Sequence, residues 1–164
     1  MRLSHMDARE RALAAVYEAE YRSFVRVLVA SGRTPDAAHD AVQDGFARAL
    51  ERRAQYRGGS LRAWVWRIVV RRLLDDDRRR VAEEALDESA LVAAEPGEAP
   101  AIADALNALP PRRRLVVFLR FYGDLSYAEI AECLGVAEGT VTATLSQAYA
   151  ALRVTLRDEM RVER

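Results

Sequence analysis

The chain has 164 residues, 51% hydrophobic and 30% charged, and its 25 basic residues are all arginine, balanced by 25 acids. This is a folding composition for one domain or two small ones, and it excludes disorder throughout. The longest nearly uninterrupted apolar run, Leu115 to Tyr122, is broken by Arg120 and falls far short of the roughly 18 residues a membrane span needs. With no hydrophobic N-terminal segment either, neither membrane insertion nor secretion is expected. The single cysteine, Cys133, excludes an internal disulfide, and with only His5 and His39 beside it no zinc cluster of Cys and His can be assembled. The expectation is a cytoplasmic protein without metal or cofactor.

The neutral total hides segregation. Residues 1–80 carry 17 arginines against 11 acids, residues 81–108 carry 7 acids and no arginine, and residues 109–164 carry 8 arginines against 7 acids. The first half is therefore a candidate for an anionic partner, and the middle is acidic.

Met1 to Met6 are set aside from the fold reading. Leu13, Val16, Tyr17, Tyr21, Phe24, Val25 and Leu28 recur at helical spacing and predict a first amphipathic helix, stopped by Ser31-Gly32. Thr34-Pro35-Asp36 opens a second, with Thr34 as N-cap and Pro35 at the first helical position, where its missing N–H costs nothing. Ala38, Val42, Phe46, Ala49 and Leu50 form its expected buried face. After the Gly58-Gly59-Ser60 loop, Leu61, Trp64, Val65, Ile68, Val69 and Leu73 mark a third helix that puts Trp64 in the core. Its expected end is Asp75 to Arg80, where three acids and three arginines read as charge pairing rather than as a metal site.

Residues 81–108 are alanine-rich and acidic, with Glu95-Pro96-Gly97 and Pro100 as breakers, and read as a flexible linker. Helices resume after Pro110-Pro111. Ser126-Tyr127-Ala128-Glu129 is a capping box that starts a short helix with Ile130, Ala131 and Leu134 inward. Gly135 ends it in a tight turn, Val136 plugs the corner, and Val141, Leu145, Ala148 and Leu152 line a second helix. Helix, glycine turn and helix read as a helix-turn-helix, although a plain αα-hairpin shares the outline. The expected fold is all-α: two small helical domains, residues 7–80 and 109–160, joined by the acidic linker.

Three stretches carry a family resemblance. Leu109-Pro110-Pro111-Arg112-Arg113-Arg114, with Leu125 to Ala131 and Leu134 to Val141, resembles domain four of the extracytoplasmic-function group of bacterial sigma factors. Asp40 to Arg48 resembles the group's polymerase-binding helix, and Tyr56 to Ile68 its promoter-opening segment. The resemblance spans about residues 12 to 157, with both domains in the family's order.

It implies an initiation factor, not an enzyme, whose partners are core RNA polymerase and promoter DNA, with an anti-sigma factor as a further candidate. Asp40, Gln43, Asp44 and Ala47 lie on one helix face and would meet the polymerase, extended by Arg48. Arg57, Arg62, Arg67, Arg71, Arg72, Arg78 and Arg79 would hold phosphates around the -10 element, and Tyr56 and Ser60 would stack on and hydrogen-bond to an unstacked base. The acidic linker would thread toward the polymerase active centre.

The departures from the family are specific. Its recognition helix usually carries several basic residues, whereas Ala137 to Leu152 has Glu138 and none. The matching -35 contacts are Thr140, Thr142, Ala143, Ser146 and Gln147, which can hydrogen-bond or touch thymine methyls but cannot neutralise phosphate. Backbone contacts would fall to Arg112, Arg114 and Arg120, with Arg153 and Arg157 behind them. Ala137 also replaces a capping serine, and Arg71 stands where asparagine is usual. Two readings follow: a sigma factor with weakened -35 recognition, or a sigma-like interaction protein that does not itself select promoters.

Overall fold

The computed structural model describes the backbone of residues 6–84 and 100–162, and the side chains of residues 6–79 and 103–154. All its regular elements are helical: α1 (Ala8–Ala30), α2 (Pro35–Glu51), α3 (Leu61–Glu84), α4 (Pro100–Asn107), α5 (Pro111–Phe121), α6 (Tyr127–Leu134) and α7 (Glu138–Val162), with a 3-10 turn at Arg53–Gln55. No described helix is long and apolar enough to cross a membrane.

α1 begins with a capping box formed by Asp7 and Glu10. The Asp7 carboxylate accepts from the Glu10 N–H at 2.8 Å, and the Glu10 carboxylate accepts from the Asp7 N–H at 3.0 Å. Both carboxylates also pair with Arg53, at 3.0 and 2.9 Å, tying the start of α1 to the 3-10 turn that follows α2. Ser31 closes α1, its N–H donating to the Val27 carbonyl at 2.9 Å and its hydroxyl to that of Leu28 at 2.8 Å. Thr34 caps α2 as expected, its hydroxyl accepting from the Ala37 N–H at 3.2 Å, with Pro35 in the first turn.

Helices α1, α2 and α3 pack around Phe24, Val27, Leu28, Val42, Val65, Val69 and Trp66, all essentially without solvent contact. The Phe24 and Trp66 rings stack at 3.9 Å with 8° between planes. This corrects two expectations. Trp66 is the core tryptophan, and Trp64 is only half-buried. The buried set on α3 is Val65, Trp66, Val69, Val70 and Leu73, a stripe turned by about 100°, or one residue, from the expected one. Leu50, placed in the core by its spacing, is 43% exposed. The position that brings α2 onto α3 is Gly45 instead, where a Cβ would overlap Val69 Cγ2 and lie 3.3 Å from the Val69 backbone.

α3 does not stop at Arg80 but runs to Glu84, and α4 occupies Pro100–Asn107 inside the stretch read as linker. Pro100 starts that helix rather than breaking it, because a first-turn residue has no intrahelical acceptor to lose. Ala105 buries itself and Leu106 packs on the core. The rest of the expected linker, residues 85–99, lies outside the described residues.

The second unit is built around α5, whose residues Leu115 to Leu119 are buried on all sides while Phe121 and Tyr122 stay exposed. The α6 capping box forms as expected, with the Ser126 hydroxyl accepting at 3.2 Å and the Glu129 carboxylate at 2.8 Å. Gly135 takes φ 67° and ψ 39°, the left-handed conformation that lets the chain turn into α7. The two units touch through α1 with α5 and through α3 with α6.

Gly45→Ala should lower stability by about 1–3 kcal/mol through overpacking, although alanine is intrinsically the better helix former by about 1 kcal/mol. Trp66→Ala should cost about 3–5 kcal/mol and Trp64→Ala only a fraction of that. Urea unfolding followed by circular dichroism checks both.

Candidate polymerase and nucleic-acid interfaces

On α2, the Asp40, Gln43 and Ala47 side chains are exposed on one face, while Asp44 and Arg48 are half-buried at its edge. One Asp44 oxygen accepts from Arg48 Nε at 2.9 Å and from Arg72 Nε at 2.8 Å. Burial alone would raise the Asp44 pKa, but the bonds from Arg72 and Arg48 outweigh it and hold the carboxyl below its ordinary range. Asp44 therefore joins two residues expected in separate sites, Arg48 at the polymerase face and Arg72 at the DNA face. Beside this face, Leu13, Tyr17, Phe46 and the exposed Leu50 line an apolar groove between α1 and α2.

The acids of α3 are paired individually. Asp75 meets Arg78 at 2.7 Å, Asp76 meets Arg72, and Asp77 receives a two-pronged bond from Arg33 at 2.6 and 2.5 Å. These are mid-helix pairs, since α3 continues past them.

The Tyr56–Ser60 loop shapes the opposite face of α3. The Tyr56 hydroxyl donates to the Gly59 carbonyl at 2.6 Å, and the Ser60 hydroxyl accepts from the Ala63 N–H at 3.1 Å, capping α3. The Tyr56 hydroxyl proton and one lone pair of the Ser60 hydroxyl are thus engaged within the loop. What remains is an aromatic surface, with Tyr56 and Trp64 rings 5.6 Å apart. Helical spacing predicts Trp64 in the core and carries no signal for Arg52. Here Trp64, Arg52, Arg48, Arg67, Arg71 and Arg72 surround one polar cavity.

The remaining arginines differ in freedom. Arg57, Arg71 and Arg79 are exposed, and Arg78 is exposed but paired with Asp75. Arg62 is half-buried and pairs with Glu20 at 3.2 Å. Arg67 pairs with Glu132 of α6 at 3.1 Å, and Arg71 donates to the Glu132 carbonyl at 3.3 Å.

The helix-turn-helix presents Thr140, Thr142, Ala143, Ser146 and Gln147 to solvent along one side of α7. The Thr142 hydroxyl donates back to the Glu138 carbonyl at 3.2 Å. Among the expected backbone contacts, Arg112 and Arg153 are exposed, and the Arg157 side chain lies outside the described residues. Arg120 is half-buried, donating to the Leu125 carbonyl at 3.3 Å and lying over the Tyr127 ring. Arg114 departs from the expectation: it is only 9% exposed, and its guanidinium donates to the Asn107 and Leu109 carbonyls at 2.5 and 3.2 Å. The end of α4 leaves those carbonyls without helical partners, and Arg114 satisfies them instead of facing outward.

Family models match both units in order: Sigma-70 region 2 over residues 16–83 and Sigma-70 region 4 over residues 100–152. The chain belongs to the extracytoplasmic-function group of the sigma-70 family. It is 34% identical to the ECF RNA polymerase sigma factor SigL of Mycobacterium tuberculosis, over 95% of this chain and 97% of that one. It is 28% identical to the RNA polymerase sigma factor SigV of Bacillus subtilis, over 84% and 87% of the two chains. The fold is similar to that of the sigma factor RpoE of Bartonella quintana, solved in complex with the anti-sigma factor NepR: TM-score 0.73, 22% identity, 90% of this chain and 98% of that one. It is also similar to CnrH in complex with the cytosolic domain of CnrY, with TM-score 0.64, 21% identity and 90% and 89% coverage. The protein is an RNA polymerase sigma factor.

Because the native Asp44 pKa is lowered, its contribution to this sigma factor's stability is present above the ordinary carboxylate value and lost as pH falls through the lowered native value. Asp44→Ala should therefore cost about 1 kcal/mol at neutral pH, a modest figure because the carboxylate is partly exposed. The difference from the parent chain should shrink toward zero as the pH falls below 3.8, measured by urea unfolding across the acid range.

Proposed function

We propose that this sigma factor docks on core RNA polymerase through the exposed α2 face, opens the -10 element with the Tyr56–Ser60 loop and α3, and reads the -35 element weakly through α7. Residues 7–80 and 109–160 serve as the two functional domains and 81–108 as the acidic connection. The protein works in the cytoplasm without metal or cofactor and is not itself an enzyme: the polymerase does the chemistry, and the factor favours the opened DNA state. An anti-sigma factor is a further expected partner. The observation that carries this reading is the pairing of an aromatic step, Tyr56 with Trp64, with the basic outer face of α3. Single-stranded DNA binds to such surfaces by base stacking and phosphate contact.

Weak -35 reading is supported by the exposed side of α7, where Thr140, Thr142, Ala143, Ser146 and Gln147 are all uncharged. Such a surface can read thymine methyls and base edges but releases few counterions. Tethering to polymerase offsets the poor affinity by raising the effective concentration of α7 at the promoter.

Two experiments test this. Asp40→Arg should weaken binding to core polymerase about tenfold or more, followed by anisotropy of the labelled chain; no binding by the parent chain would overturn the reading. Ala143→Arg should strengthen binding to duplex DNA and steepen the salt dependence by about one unit of slope, whereas an unchanged slope would place α7 away from the phosphates.

A further inference from the structure

The Tyr56–Ser60 loop has little packing of its own. Gly58 and Gly59 take φ 102° and 86°, a region that side chains rarely adopt, and nothing lies within 4 Å of where their Cβ atoms would be. The Tyr56–Gly59 bond gives the loop its shape, but its place is set from the two ends. At the far end Ser60 caps α3. At the near end stands the 3-10 turn Arg53–Gln55, where the Arg53 carbonyl accepts from the Tyr56 N–H at 3.3 Å.

Each nitrogen of the Arg53 guanidinium is engaged. Nε donates to Asp7 at 3.0 Å, Nη2 pairs with Glu10 at 2.9 Å, and Nη1 donates to the Leu50 carbonyl at 3.0 Å. The two carboxylates divide their oxygens between two tasks. Asp7 Oδ1 and Glu10 Oε2 cap α1, while Asp7 Oδ2 and Glu10 Oε1 hold the arginine. The Glu10 N–H and then Arg53 keep the Asp7 carboxyl below its ordinary range, so it stays charged. Arg53 stands between Arg52, which lines the polar cavity beside Trp64, and Arg57, which is exposed. Unlike them, it would have to give up a carboxylate to reach a phosphate.

We propose that Arg53 is a positioning residue for promoter opening: gripped by Asp7 and Glu10, it sets where the Tyr56–Ser60 loop leaves α2, and so where Tyr56 meets an unstacked base, without touching DNA itself. This rests on the reading of that loop as the segment that opens the -10 element. Ion pairs as exposed as these add little to global stability. Their contribution is geometric, because a planar fork bound at three points has a fixed direction as well as a fixed place.

The test uses the full-length factor on core polymerase, with a promoter it opens that carries 2-aminopurine in the -10 element, so that opening rate and closed-complex affinity are read separately. Four variants are compared with the parent: Arg53→Ala, Asp7→Asn with Glu10→Gln, Arg57→Ala and Tyr56→Ala. Asn and Gln keep the α1 capping box while removing both charges, and urea unfolding checks that each variant is folded. Arg53→Ala and the double variant should each slow opening about tenfold, with core and closed-complex affinities within about twofold of the parent. On a single-stranded -10 oligonucleotide both should keep the parent's salt slope, whereas Arg57→Ala should lower it by about 0.7. Unchanged opening in either Arg53→Ala or the double variant overturns the proposal. A salt slope lowered in Arg53→Ala overturns it too, by making Arg53 a phosphate contact, and so does a loss of core affinity as large as the loss of opening. Tyr56→Ala separates the proposal from the reading beneath it. Slow opening there beside normal opening in the Arg53 variants leaves the loop's role standing, and normal opening in all of them removes both.

Discussion

The stack of Phe24 on Trp66 sets the rotation of α3 about its own axis, and the position of each α3 arginine follows from that rotation. With Trp66 turned inward beside Val65, Val69 and Val70, Trp64 is carried to the outer edge, where it meets Tyr56. Arg67 and Arg71 then project away from the three-helix core, and Arg62 and Arg72 flank it, reaching back to Glu20 and Asp44. A helix turned by one residue would seat Trp64 inward and carry Trp66 away from Phe24. Burial of aromatic area is worth far more than any surface ion pair, so packing decides the rotation and the charges follow.

Neutrality is managed locally. A helix with as many arginines as α3 would repel itself, and the interleaved acids prevent that by occupying Arg72 and Arg78 and by binding Arg33. Asp44 carries this pairing across to α2, where one carboxylate holds both Arg48 and Arg72. Outside these ion pairs, Arg57, Arg71 and Arg79 are exposed on and before α3, and Asp40 is exposed on α2. The second unit differs, for its α7 face presents hydroxyls, an amide and a methyl where a DNA reader usually places cations. The two units thus differ in charge, α3 being rich in arginine and the outward side of α7 uncharged at these five positions.

Local signals were the legible part of the sequence. Thr34-Pro35 and Ser126 to Glu129 announced two helix starts, and Gly135 the turn, because caps and left-handed glycines depend on a few neighbouring residues. The helix-turn-helix and the exposed side of α7 were readable for the same reason. Tertiary choices were not. α3 carries apolar residues at 64, 65, 66, 68, 69 and 70, wide enough for two stripes, and only the seat offered by Phe24 selects Trp66. Leu50 matched the helical period but Gly45, with no side chain, marks the real contact with α3. Arg112, Arg113 and Arg114 look alike in a row, and only the open carbonyls at the end of α4 single out Arg114 for burial. That helix was itself hidden, because a proline that can begin a helix was read as one that ends it.

Multi-round transcription with core polymerase from a GC-rich bacterium, on a library of randomised promoters, tests most directly whether α3 carries promoter selection while α7 contributes little. Sequencing of the transcripts should return an enriched -10 motif and a faint -35 motif or none. A dominant -35 motif with no -10 preference would contradict that division of labour, and absence of any transcript despite binding to core would contradict promoter selection by this chain altogether.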